Sequence, residues 1–368
     1  MNRVLFIVED LSCSGSPLSV LHILENIENF AIKDVFVMCG KNDEDVFMFD
    51  KYKKETEKIY LNSIPHLSTK KFKILYFFYL KKILNKIEKL IKTNNYSHIY
   101  FNRGIISGRL IKKIKQKYKD ITIIFHSLGE IRFNSRYKIV NNNLRRNIFY
   151  ISRFTDFFIA IAQKCFPSAD FIIQGKKIVL HDYTDIDVLN GNKCFSKAGK
   201  IVMGQIGYFC PLKNQLFSLN LLKKMIDEGV DASLYLLGYP VDPKYIELMN
   251  SCIDANYLKE KVFYVDKDYS KIVFFDKIDI LLLPSISEGS PLVVLEASAR
   301  KTPCLASFAI PEESNVGNLI RMPLDSCDLW LQYLRSEDYK RIYKSFSEET
   351  KSFFKKQVHK IFAIKEQN

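Results

Sequence analysis

Residues 279–303 read Asp-Ile-Leu-Leu-Leu-Pro-Ser-Ile-Ser-Glu-Gly-Ser-Pro-Leu-Val-Val-Leu-Glu-Ala-Ser-Ala-Arg-Lys-Thr-Pro. The opening apolar run reads as a buried strand ending at Pro284, and the loop after it displays Glu288 and Gly289. A helix is expected from Pro291 to Arg300, with Ser290 as its N-cap and Pro291 at the first helical position. Strand, loop and helix in this order form one unit of a parallel βαβ sheet, and ligands of such sheets bind at the carboxyl edge where these loops lie. The free N–H groups of the helix start attract phosphate. Gly289 lets a ligand approach the main chain, and Glu296 lies on the same helix, able to accept from ribose hydroxyls. The eight-residue step from Glu288 to Glu296 therefore pairs a loop carboxylate with a helix carboxylate.

The same alternation extends in both directions. Toward the C-terminus comes a strand at Pro303–Ser307. Upstream, Ile201–Ile206, Ser233–Leu237 and Val262–Val265 read as strands, with helices near Asn214–Glu228 and Pro243–Ala255. The first half carries its own set of strands at Val4–Val8, Asp34–Met38, His98–Phe101, Thr122–Phe125, Phe157–Ala160 and Lys177–Leu180. Two doubly wound α/β domains follow from this restart. The segment Asp185–Lys200, mixed in Asp, Asn, Gly, Ser and Lys, reads as the linker between them. The expected domains are residues 1–190 and 199–345. Residues 350–368 are expected to pack back on the first through a stripe of Phe353, Phe354, Val358, Ile361 and Phe362.

A chain of 368 residues is long enough for two cores, and 47% hydrophobic with 26% charged residues is an ordinary globular balance. The longest apolar run, Ile74 to Leu80, is far short of the roughly 20 residues that cross a bilayer. The N-terminus reads as a strand followed by acids rather than a signal peptide, so a cytoplasmic location is expected. Eight scattered cysteines form no C-x-x-C pair and read as reduced thiols, excluding a disulfide framework. The six histidines form no metal pair of the H-E-x-x-H kind. The net charge of +14 is uneven: residues 1–195 hold 32 Lys and Arg against 19 Asp and Glu, residues 196–368 hold 23 against 22. Such asymmetry points one domain toward a polyanion.

The 279–303 stretch resembles the retaining, nucleotide-sugar-dependent glycosyltransferases of the GT-B fold, family 4 in particular. Their E-x7-E signature matches Glu288 and Glu296 in this strand, loop and helix context. The resemblance continues at Ile206-Gly-Tyr-Phe-Cys-Pro-Leu-Lys-Asn-Gln, which is similar to the family's first strand of the nucleotide domain, where a Gly-Arg pair and a later Lys clamp the diphosphate. Gly207 and Lys213 match; Tyr208 stands where the family usually has Arg, which implies a single-cation or repositioned clamp. In the first half, Asp10-Leu-Ser-Cys-Ser-Gly-Ser-Pro-Leu resembles the family's glycine-rich loop on the acceptor side, matched at Gly15 with Ser16 beside it. His126 matches the histidine that lies across the cleft from the donor sugar.

The resemblance implies two Rossmann-like domains facing a cleft and transfer of a hexosyl unit, from a UDP-sugar, to a saccharide or lipid-linked acceptor with retention. The setting it implies is synthesis of bacterial surface polysaccharide, capsule or lipopolysaccharide. Glu288, Lys213 and His126 would be catalytic. Gly207, Tyr208, Lys213, Glu288, Gly289, Ser290, Pro291, Leu292 and Glu296 would bind the donor. No metal or other cofactor is implied, the nucleotide sugar being a co-substrate. The triplets Asp185–Asp187 and Asp266–Asp268 read as loop acids rather than a metal site. Two further readings are a GT-B partner subunit with impaired catalysis, suggested by Tyr208, and a nucleotide-sugar epimerase, against which Lys213 and the E-x7-E pair argue.

Residues 70–92 hold eight lysines and one acid, Glu88. At helical spacing Lys81, Lys82, Lys86, Lys89 and Lys92 share one arc, opposite Leu80, Ile83, Leu84, Ile87, Leu90 and Ile91. With Lys70, Lys71, Lys73, Phe77 and Phe78 before them, they read either as a segment that binds an anionic membrane surface or as a core helix with a solvated lysine face. Nucleic acid is not an expected partner, since no RNP, helix-turn-helix or zinc signature is present.

Overall fold

A computed structural model describes residues 3–11, 15–27, 32–38, 46–62, 76–102, 107–131, 138–189, 192–197, 199–266, 269–341 and 349–362. The chain divides into two compact units, Met1–Asp182 with Ser352–Asn368, and Tyr183–Lys351.

Unit 1 alternates β1 (Arg3–Val8), α1 (Gly15–Glu25), β2 (Ile32–Val37), α2 (Val46–Glu55), β3 (Lys58–Leu61), α3 (Tyr76–Asn94), β4 (His98–Asn102), α4 (Ser107–Lys117), β5 (Thr122–Ser127), α5 (Lys138–Phe154), β6 (Phe157–Ala160) and β7 (Lys176–Val179). The strands form one parallel sheet in the order β3-β2-β1-β4-β5-β6-β7. Val4 to Val8 are wholly buried, because a parallel sheet is covered on both faces and its central strands read as unbroken apolar runs.

Unit 2 continues with β8 (Lys200–Ile206), α6 (Gln215–Asp227), β9 (Asp231–Leu237), α7 (Pro243–Ala255), β10 (Val262–Val265), α8 (Lys271–Lys277), β11 (Ile280–Leu283), α9 (Leu292–Ala299), β12 (Cys304–Ser307), β13 (Leu319–Met322) and α10 (Cys327–Ser336). Its parallel sheet runs β10-β9-β8-β11-β12-β13. The final helix, α11 (Glu349–Phe362), returns to unit 1 from Ser352 onward. Phe354, Val358, Ile361 and Phe362 are buried, and the Phe362 ring lies 6.2 Å from that of Phe6. Phe353 departs from the expected stripe and is exposed.

The strand order reverses direction between β1 and β4 in unit 1 and between β8 and β11 in unit 2. At such a switch point the loops leaving neighbouring strands part to opposite faces and open a crevice at the carboxyl edge. Among the described residues no helix is long and apolar enough to cross a membrane.

Candidate functional site

The loops after β8 and β11 meet at the unit 2 switch point. Ile286 N–H donates to the Leu212 carbonyl at 2.9 Å, knitting the two loops together. Gly207, the first residue past β8, has φ +147°, and a Cβ there would stand 3.3 Å from the Lys213 side chain. The lysine stem therefore crosses over a position where a side chain would crowd it. Gln205 fixes this loop from below, its amide donating to the Lys213 carbonyl at 2.7 Å and accepting from Ser218 Oγ at 2.8 Å. The result is a lysine whose ammonium reaches Glu288, with Nζ 2.5 Å from Oε1. Ser285 Oγ donates to the same carboxylate oxygen at 2.7 Å.

Helix α9 starts one residue later than the sequence suggests. Pro291 occupies the N-cap with no side-chain cap bond, and Leu292 is the first helical residue. The Ser290 hydroxyl instead lies 3.3 Å from that of Ser314. Proline fits the extended N-cap backbone without a lost donor, which leaves the serine free to bond sideways. Gly289, Ser290 and Leu292 are half-buried around the helix start, whose first N–H groups lack intrahelical partners by geometry.

Of the eight residues of α9, Glu296 alone is ionisable, and it is buried, as are Val294, Leu295, Ala297 and Ala299 of the same helix. Its Oε1 accepts from Lys271 Nζ at 2.6 Å. Lys271 is absent from the sequence reading; its only local signal is a lysine between the cap residue Ser270 and the apolar run Ile272–Phe275. Tyr208 packs edge-on against Tyr239 with centroids 4.8 Å apart, and its carbonyl accepts from Gln215.

In unit 1 the carboxyl edge gathers Ser16, Asn102 and His126. Gly15 and Ser16 open α1, Asn102 Nδ2 donates to Ser16 Oγ at 3.3 Å, and Asn102 pairs in register with His126. The His126 Nδ1 lies 2.6 Å from the Tyr100 hydroxyl, while Nε2 is buried with no partner among the described residues. Burial pushes the imidazole down to about 4, the carboxylate of Asp182 opposing only in part. The unfolded chain thus binds a proton on this side chain that the folded chain refuses between pH 6.5 and 4. Stability falls by about 3 kcal/mol as pH drops through that window. Urea unfolding of His126→Asn is expected to lack this part of the slope, and an unchanged pH dependence would contradict it.

The basic face of unit 1 is partly described. Lys81, Lys82, Lys86, Lys89 and Lys92 are exposed on α3, and Ile83, Leu84, Ile87 and Ile91 face the core. This part of the helix has its apolar stripe committed to unit 1, with the lysines outward. Lys70, Lys71 and Lys73 lie outside the described residues, as do the side chains of Phe77 and Phe78. Asp185 pairs with Lys351, and Asp268 lies outside the described residues.

Residues 192–314 match the sequence profile of the family described as Glycosyl transferases group 1. Over 120 residues the chain is 28% identical to a protein of Bacillus subtilis (strain 168) named putative glycosyltransferase EpsF, a stretch that covers 33% of this chain and 30% of that one. Among solved structures, the crystal structure of Anabaena Alr3699/HepE in complex with UDP-glucose superposes over 99% of this chain and 100% of its own with a TM-score of 0.74 at 14% identity. The apo form of the lipopolysaccharide outer core galactosyltransferase WaaB gives a TM-score of 0.67 at 15% identity over 98% and 99% of the two chains. The fold is GT-B. In this GT-B chain the profile match covers the loops of Lys213 and Glu288 and the helix of Glu296, so sequence likeness is concentrated where the charged side chains gather.

Proposed function

We propose that this chain is a retaining glycosyltransferase of family 4 that moves a hexosyl unit from a UDP-sugar to a saccharide or lipid-linked acceptor. The observation that carries this reading is the constellation of Lys213, Glu288 and Glu296 at the unit 2 switch point. Lys213 neutralises charge that develops on the leaving diphosphate, aided by the N–H groups at the start of α9. Gly207 and Gly289 let the phosphates approach the main chain, with Tyr208, Ser290, Pro291 and Leu292 lining them. Glu288 accepts from the sugar hydroxyls and Glu296 from the ribose. Lys213 and Glu288 pair with each other, and on donor binding the diphosphate replaces Glu288 as the ammonium's partner.

The acceptor side is assigned to the unit 1 edge, where His126, Gly15 and Ser16 stand. A surface-polysaccharide role draws support from one structural neighbour, the lipopolysaccharide outer core galactosyltransferase WaaB, and the exposed α3 lysines suit an anionic membrane carrying a lipid-linked acceptor. The location proposed is the cytoplasmic face of that membrane. Transfer needs no metal in this reading, because ammonium and helix N–H groups carry the leaving-group charge.

The test is incubation with a panel of UDP-sugars and glycan acceptors, with and without chelator, following UDP release and the anomeric configuration of the product by NMR. Chelator-insensitive release with retained configuration is expected. Inversion would refute the mechanism. UDP binding with neither release nor transfer would favour the impaired partner subunit suggested by Tyr208.

A further inference from the structure

Both helices joined by the Lys271–Glu296 ion pair have apolar anchors besides it. Helix α8 is already anchored by Phe274 and Phe275, both buried in the unit 2 core, and α9 by Val294 and Ala297 in the same cluster. The pair is unsymmetrical: the Glu296 side chain is 5% exposed and that of Lys271 44%. A carboxylate that deep among apolar neighbours is costly without a cation, and Lys271 is its one charged partner among the described residues. The pairing uses Oε1, while Oε2 has no hydrogen-bond partner among the described residues. A carboxylate free to rotate would offer either oxygen in several directions. One whose Oε1 is held at 2.6 Å by the ammonium of Lys271, the first residue of α8, leaves Oε2 as the oxygen it offers.

We infer that Lys271 is a positioning residue of the donor site, fixing the Glu296 carboxylate so that Oε2 is presented to the ribose hydroxyls of the nucleotide. This rests on the reading of Glu296 as the ribose acceptor. Lys271 itself touches no part of the donor. Its effect passes through Glu296 and is confined to the ribose hydroxyls.

That restriction makes the role separable from a structural or phosphate-binding one. UDP and 2′,3′-dideoxy-UDP are titrated calorimetrically into the wild type, Lys271→Met, Lys271→Arg and Glu296→Gln. UDP binding is expected to weaken about tenfold in Lys271→Met and to recover in Lys271→Arg. Dideoxy-UDP should bind the wild type and Lys271→Met alike, because the hydroxyls that sense the carboxylate are gone and the two changes are coupled. Tighter or unchanged UDP binding in Lys271→Met would overturn the inference, and so would an equal loss for both nucleotides. If the wild type ignores UDP, or Glu296→Gln leaves UDP binding intact, the assignment of Glu296 fails and this inference with it. If Glu296→Gln weakens UDP binding while Lys271→Met does not, only the inference fails.

Discussion

Lys213→Met is expected to lower kcat for sugar transfer by about 10²–10³-fold, the range for removing one group that stabilises developing charge. The expectation is at the upper end because of the neighbouring residue. Where the resemblance has a second cation, this chain has Tyr208, whose ring is packed against Tyr239. At the position of that second cation there is no guanidinium to take over the leaving diphosphate. The lysine's surroundings also argue for a placed ammonium rather than a surface one, since its carbonyl is held by Gln205 and its stem crosses Gly207. Folding is expected to persist, because Glu288 keeps the Ser285 hydroxyl as donor. Steady-state kinetics with the productive UDP-sugar decides the matter. A loss of less than threefold in kcat, at unchanged KM, would remove Lys213 from the chemistry.

The second large effect concerns stability. Asp182 closes unit 1 at the point where the chain leaves for unit 2, and its carboxylate is buried between two partners on α1. His22 Nδ1 lies 2.6 Å from Oδ1, and Ser19 Oγ donates to Oδ2. Truncating one member of a buried charged cluster strands the others without water. Asp182→Ala is therefore expected to destabilise unit 1 by about 3–5 kcal/mol, read as a lower urea midpoint with an unchanged slope. Far-UV circular dichroism follows both units, and fluorescence of Trp330, the sole tryptophan, follows unit 2. Asp182→Asn retains one acceptor oxygen and should fall between the two. A shift below 1 kcal/mol for Asp182→Ala would show that α1 is held by its apolar face alone.

These two residues mark what the sequence discloses and what it withholds. Lys213 is legible because its neighbours are local: a strand end, Gly207 and a turn within seven residues. Glu288 and Glu296 are legible for the same reason, being set on one loop and the helix that follows it. The central strands are equally plain, since burial on both faces writes them as continuous apolar runs such as Leu5–Val8 and Ile280–Leu283. Strands β3 and β13 escape because Lys-Ile-Tyr-Leu and Leu-Ile-Arg-Met each hold a single β-branched residue, whereas the equally short edge strands β7 and β10 hold two each and are legible. The Asp182 cluster and the Lys271 pair escape for another reason. Their partners are 160 and 25 residues apart and meet only through the tertiary fold. The capping of α9 by Pro291 rather than Ser290 shows how a local rule with two admissible registers is settled by packing around it.

Calorimetric titration of UDP into the purified chain decides whether the unit 2 switch point is a donor nucleotide site. Saturable one-to-one binding in the wild type, weakened about tenfold or more in Glu296→Gln, is expected. An absence of heat with UDP, or identical binding in the wild type and Glu296→Gln, would contradict it.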